Sequence, residues 1–181
     1  MDVGIDDAIA VLFLATQPDA RIVALGSPFG DVDTAQATHD AIAVLELAGL
    51  GRVPVAHGAE RPLAVPLSLA TYVHGTDGLG EIGAASIAVA GSPTGESAAD
   101  QIVRPGRQHP GELDLLAVGP RTNLGHALQA DPDALGRYGP WSSWEVPGRR
   151  TRWTPVNNTT PTSPMTRTPR ISCSRHVAPG S

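Results

Sequence analysis

Between residues 5 and 132 the chain alternates short apolar runs with amphipathic segments, joined by turns and loops. That alternation narrows the fold more than any other feature, because strand and helix in repeated succession close most readily as a parallel sheet with helices packed on it. Ala8, Val11, Leu12 and Ala15 recur at helical spacing behind an acidic start, with Asp6 or Asp7 as the N-cap. Residues 21–25 (RIVAL) read as a short buried strand, and 34–48 as a second helix with Ala37, Ala41, Val44, Leu45 and Ala48 on one face. A weak strand at 53–56 follows, then a loop-rich stretch, a helix at 98–103, and the clearest strand at 113–118. Another helix starts at 122–128, and Asp131-Pro132 closes it. The expected fold class is α/β, a mostly parallel sheet with flanking helices and with ligands at the carboxyl ends of the strands.

After about residue 138 the pattern stops. Residues 1–138 hold 17 of the 18 acidic residues and 7 of the 13 Arg, whereas 139–181 hold one acid, Glu145, and 6 Arg. All three Trp, the only Cys and 7 of the 17 Pro also fall in that last stretch. The expected organisation is therefore a domain over 1–138 and a disordered tail over 139–181. A net charge of −5 argues against binding a nucleic-acid backbone, and no apolar run is long enough to span a bilayer. The lone Cys173 forms no intrachain disulfide, which makes the cytoplasm the expected compartment.

The opening stretch, MDVGIDDAIA, sets Asp2, Asp6 and Asp7 around the Gly4 turn at the mouth of a helix. One Asp is explained as a cap. Three crowded carboxylates repel unless a cation or ligand gathers them, and hard cations such as Ca²⁺ or Mg²⁺ want several oxygen donors. The competing reading is a capped helix with two solvated acids. Asp31 and Asp33 follow a strand and are placed to reach the same crevice. Val118, at the end of the clearest strand, offers a backbone carbonyl, and Thr122-Asn123 a helix cap. His74 and Asp77 lie in a Gly-rich loop suited to closing over a small ligand, although a His in such a loop is more often solvated. Its GLGEIG run matches GxGxxG by letter but follows no strand, so it is not read as a dinucleotide loop. His39, His57, His109 and His126 lack zinc-site spacing.

Taken in order, DVGIDDAIA, ALGSPFGDVDTAQATHDAIAVLELAG, VPVAHGAERPL, VHGTDGLG and PGELDLLAVGPRTNLGHALQADP resemble the inosine/uridine-preferring nucleoside hydrolase family over residues 1–138. The resemblance implies an N-ribohydrolase that splits the N-glycosidic bond of purine or pyrimidine nucleosides into ribose and base, assisted by Ca²⁺. Asp2 matches the family's general base and metal ligand, Asp7 its bidentate metal ligand, and Val118 the position lending a backbone carbonyl to the metal. Asp6 matches the residue that binds ribose hydroxyls, and His74 a loop His near the nucleobase. Asp31 stands where the family usually has Asn contacting the ribose, and Val3 stands where its motif has Pro, a mild change. The partner implied is a small-molecule nucleoside, with homo-oligomers as the family's habit.

The family pattern also exceeds this chain. Its opening motif begins one Asp and one strand earlier, so Met1 is read as an internal start. A further strand and a later Asp ligand are missing after residue 138, where the tail is compatible with a one-base frameshift near Tyr138. The expectation is a chain of impaired activity; the alternatives are an inactive remnant or a ribose-binding module without turnover.

Overall fold

The computed structural model describes residues 1–139 together with 142 and 143. Among the described residues, four strands and five α-helices run in the order α1 (Ile5–Ala15), β1 (Leu25–Ser27), α2 (Thr34–Leu47), β2 (Val55–His57), α3 (Thr71–His74), α4 (Ala98–Gln108), β3 (Leu116–Ala117), α5 (Thr122–Ala130) and β4 (Ser142–Ser143). Short 3-10 turns stand at Ala84–Ser86 and Ala134–Arg137. The class is α/β, as the alternation predicts. All the pairing is parallel: β1 with β2, Leu25 opposite Val55, and β3 with β4, Leu116 opposite Ser142. A parallel bridge from Ala56 to Thr94 extends the first pair.

The core forms where α2 packs on β1 and β2 and α1 packs on α2. Val3, Val11, Leu25, Ala41, Ile42, Val44, Leu45 and Val55 make one buried cluster. Val103, Ala127 and Ala134 make a second one where α4 meets α5. The opposite face of α1 is apolar as well: Ile9 and Phe13 are 62% and 61% exposed. No helix among the described residues is long and apolar enough to cross a membrane.

Several local expectations shift for identifiable reasons. The first strand starts at Leu25 rather than Arg21. Leu25 N–H donates to the Pro54 carbonyl at 3.0 Å, and the next ladder bond outward needs an N–H that Pro54 lacks. The strand at 113–118 contracts to Leu116–Ala117, the two positions that pair with β4. Helix α4 runs past Val103 through Pro105 to Gln108. The Tyr138 hydroxyl donates to the Ile102 carbonyl at 2.6 Å, tying down the turn that the proline disturbs. Neither Asp6 nor Asp7 caps α1; Gly4 is the N-cap and both acids lie in the first turn, free for other contacts.

The expected tail is touched only at its edge. Gly139 N–H donates to the Leu113 carbonyl at 2.8 Å, and Ser142–Ser143 forms a strand, so ordered pairing continues past 138. Backbone pairing asks only for free N–H and C=O groups, which is why a stretch without a strand period still supplies it. The rest of the proposed tail lies outside the described residues.

Candidate active site

Helix α1 and the carboxyl end of β1 bring four carboxylates and one imidazole together. Asp2 is buried just before α1, wedged between two glycine backbones. A β-carbon on Gly119 would stand 2.5 Å from Asp2 Oδ1, and one on Gly30 would collide with Oδ2. Both positions therefore need a residue without a side chain. Asp2 Oδ2 accepts the Asp31 N–H at 3.1 Å. Asp7 is buried in the first turn of α1, and its Oδ2 accepts the Val3 N–H at 3.1 Å.

That last contact holds Val3 at φ +40°, a left-handed conformation costly for a β-branched residue. Proline cannot adopt it and has no N–H to give Asp7. The exchange at this position is thus not mild, because it recruits a backbone donor to the buried carboxylate.

Burial dominates the electrostatics. It pushes the Asp7 carboxyl up to about 6; the ammonium of Met1 opposes the rise, while Asp2 and Asp6 add to it. Burial likewise raises Asp2, with Asp31 adding and the ammonium opposing. Asp31 is raised by burial against the pull of His74. The Met1 ammonium is itself buried, donating to the Gly26 carbonyl at 3.0 Å, and desolvation lowers it. Buried carboxylates whose negative form is this disfavoured constitute a donor set that a hard divalent cation fits.

His74 ends α3 above this pocket. Its Nδ1 accepts the Ile5 N–H at 3.3 Å, so the ring hydrogen sits on Nε2, 3.4 Å from Asp31 Oδ1. Asp6, far more exposed, approaches Nδ1 at 4.0 Å. Asp6, Asp31 and His74 each bring one ligand atom within 4.8 Å of the others. Asp2, Asp6, Asp7, Asp31 and His74 thus gather at the first turn of α1. Val118 is half-buried, and its neighbour Gly119 meets Asp2.

Other candidates go elsewhere. Asp33 caps α2, accepting from Gln36 N–H at 2.9 Å, and does not enter the crevice. Asp77 turns inward and accepts the N–H groups of Leu79, Glu81, Gly83 and Ala84, so it builds its own loop. Asn123 does not cap α5, whose N-cap is Arg121; its Oδ1 accepts the Ala59 N–H at 2.8 Å. That bond spans 64 residues, and no local sequence signal announces it.

A parallel α/β layer with acidic groups at the end of its first strand is a common ligand-binding arrangement. The inosine-uridine preferring nucleoside hydrolase model matches residues 1–139, and the chain belongs to that family. It is 37% identical over 134 residues to the probable uridine nucleosidase 2 of Arabidopsis thaliana, covering 73% of this chain and 41% of the relative. To the inosine-uridine preferring nucleoside hydrolase of Crithidia fasciculata it is 28% identical over 137 residues, covering 75% and 43%. A solved plant nucleoside hydrolase superposes with a TM-score of 0.73 at 34% identity, over 79% of this chain and 45% of that one. The chain therefore spans less than half the length of these relatives.

Proposed function

We propose that this chain carries the metal- and ribose-binding part of a nucleoside N-ribohydrolase, acting on purine or pyrimidine nucleosides with Ca²⁺. The observation that supports it most is the buried Asp2–Asp7 pair, two carboxyls held together at a helix start with their negative forms disfavoured. Asp2, Asp7 and the Val118 carbonyl would hold the ion; when bound, it offsets the crowded charge and acidifies the attacking water.

The remaining steps belong to the chain. Asp2 keeps Oδ2 on the Asp31 N–H, leaving Oδ1 to take the proton of the attacking water. Asp6 and Asp31 face the ribose hydroxyls, and their negative charge steadies the positive charge that grows on the sugar as the glycosidic bond stretches. His74, with its Nε2 hydrogen turned toward Asp31, stands on the nucleobase side. Activity is expected to be weak, since Asp2 and Asp7 are the only charged ligands assigned to the ion.

Purified full-length chain with inosine or uridine, in Ca²⁺ and in excess chelator, tests this reading. Slow Ca²⁺-dependent release of base and ribose that Asp2→Asn abolishes is the expected result. Ribose binding by calorimetry without turnover would leave the binding-module alternative, and neither would leave an inactive remnant.

A further inference from the structure

Helix α2 meets the Gly-rich segment after His74 at one buried carboxyl that the site does not use. Asp40 has no exposed surface. Its Oδ1 accepts from Gln36 Nε2 at 2.7 Å and lies 3.5 Å from His39 Nδ1, while Oδ2 is buried with no partner. Gly78 crosses directly over it, close enough that a β-carbon there would lie 3.1 Å from Oδ2. On the preceding residue, His39 Nε2 stands 2.9 Å from the Ile87 carbonyl.

Those contacts decide where hydrogens sit. A carbonyl only accepts, so His39 Nε2 carries a hydrogen and Nδ1 of the neutral ring is bare. A bare Nδ1 facing an ionised Oδ1 sets lone pair against lone pair. A bond between them needs one more proton, on the ring or on the carboxyl.

We propose that His39 and Asp40 hold one proton between them, and that this proton latches segment 75–87 onto α2 and so fixes the loop carrying His74.

The segment transmits the restraint because it is internally bonded. Asp77 gathers four of its N–H groups, and Gly80 N–H donates to the His74 carbonyl at 2.8 Å. Asp77 is also the charged group facing Asp40 from the loop, and it disfavours a second negative charge there. On the β2 side, Thr38 and His57 bond each other at 3.3 Å, and farther along α2 Glu46 holds the Ala90 and Gly91 N–H groups. Burial, with Asp77 adding to it, pushes Asp40 up to about 6, against the pull of Gln36 and His39. The latch is thus fully closed below about pH 4 and weakens as the pH rises toward about 6.

Hydrogen exchange on the full chain, corrected for the intrinsic pH dependence of exchange, tests this without any turnover. Protection over 75–87 is expected to fall as the pH rises from about 4 to about 6, by up to about tenfold per pH unit, the limit for one proton, and to level off above that. Asp40→Asn, which no longer titrates, is expected to remove the pH slope over 75–87. His39→Phe loses protection at every pH, while peptides of α4 and α5 stay unchanged. Long-range proton–nitrogen NMR of wild-type His39 gives an independent reading: Nε2–H with bare Nδ1 at pH 8, and a shared Nδ1 proton near pH 5. A wild-type profile over 75–87 that is flat with pH, an undiminished pH slope in Asp40→Asn, or a bare His39 Nδ1 at pH 5 overturns the proposal.

Discussion

Gly119 is packed against Asp2 across 117 positions of sequence, with room for a hydrogen but not for a methyl group: a β-carbon would lie 2.5 Å from Oδ1 and 3.1 Å from the Asp2 nitrogen. The turn after β3 therefore sets the position of the Asp2 carboxylate. Gly119→Ala is expected to displace that carboxylate, at an overpacking cost of about 1–3 kcal/mol. Melts of wild type and variant, with and without Ca²⁺, check it. The variant should lose the Ca²⁺-induced rise, whereas a full rise would mean that Asp2 had not moved.

With Asp7 as a ligand of the proposed Ca²⁺ site, the ion's effect on stability is expected to depend on pH. The folded Asp7 carboxyl sits near 6 against an ordinary value of 3.8, so the ion-free chain loses stability as pH rises from about 4 to 6. A cation requires the ionised form, so its benefit grows over the same range. At a hundredfold excess over the dissociation constant the gain is about 2.7 kcal/mol. The melting shift on adding Ca²⁺ should be larger at pH 7 than at pH 5 and should vanish in Asp7→Asn. An equal shift at both pH values would contradict the assignment.

How much of this was legible in the sequence depends on range. Helix α2 was readable almost to the residue, because its apolar spacing is local, although its cap, Asp33, was read as a crevice residue. The first three strands were readable as elements but not in extent, since Pro54 and the β4 partner decide which residues pair, and β4 itself was not readable. The crowding of Asp2, Asp6 and Asp7 at the helix start was legible through spacing. What no local pattern carries is the set of contacts between distant segments: Asn123 on Ala59, Gly119 on Asp2, and Asp40 beneath Gly78. Asp77 looked like a ligand-facing residue, yet the left-handed turns at Gly78, Gly80 and Gly83 curl the loop's N–H groups onto it.

Asp131 clamps the second core. It accepts from Arg107 Nε at 2.8 Å, from Arg137 Nη1 at 2.5 Å and from the Asp133 N–H at 3.1 Å, joining α4 to the end of α5. Arg137, with Arg107 and the Asp133 N–H assisting, pulls its carboxyl down to about 2. A depressed carboxyl stabilises the fold above its unfolded value near 3.8 and loses that contribution as pH falls toward 2. Asp131→Asn should melt below wild type at pH 7, with the gap closing on acidification. A gap that persists unchanged at pH 2 would assign the effect to packing instead of charge.

Asp40 carries the opposite sign, and its stability effect is separable from the exchange experiment on the loop. Its folded carboxyl is raised to about 6, so the folded chain binds this proton more tightly than the unfolded chain does. Stability is then full below about pH 4, falls between about 4 and 6, and stays lower at neutral pH. A shift of this size corresponds to roughly 2–3 kcal/mol. Asn at this position is neutral at every pH and keeps an oxygen for Gln36 Nε2 to donate to. Asp40→Asn should consequently raise the melting temperature at pH 7 by about 2–4 °C for each kcal/mol recovered, while leaving it unchanged at pH 4. Asp40→Ala separates charge from contact: it removes the buried charge but leaves the Gln36 amide without its partner, so it should recover less. An Asn variant that melts below wild type at pH 7 would show that the ionised carboxyl is satisfied by donors other than Gln36 and His39.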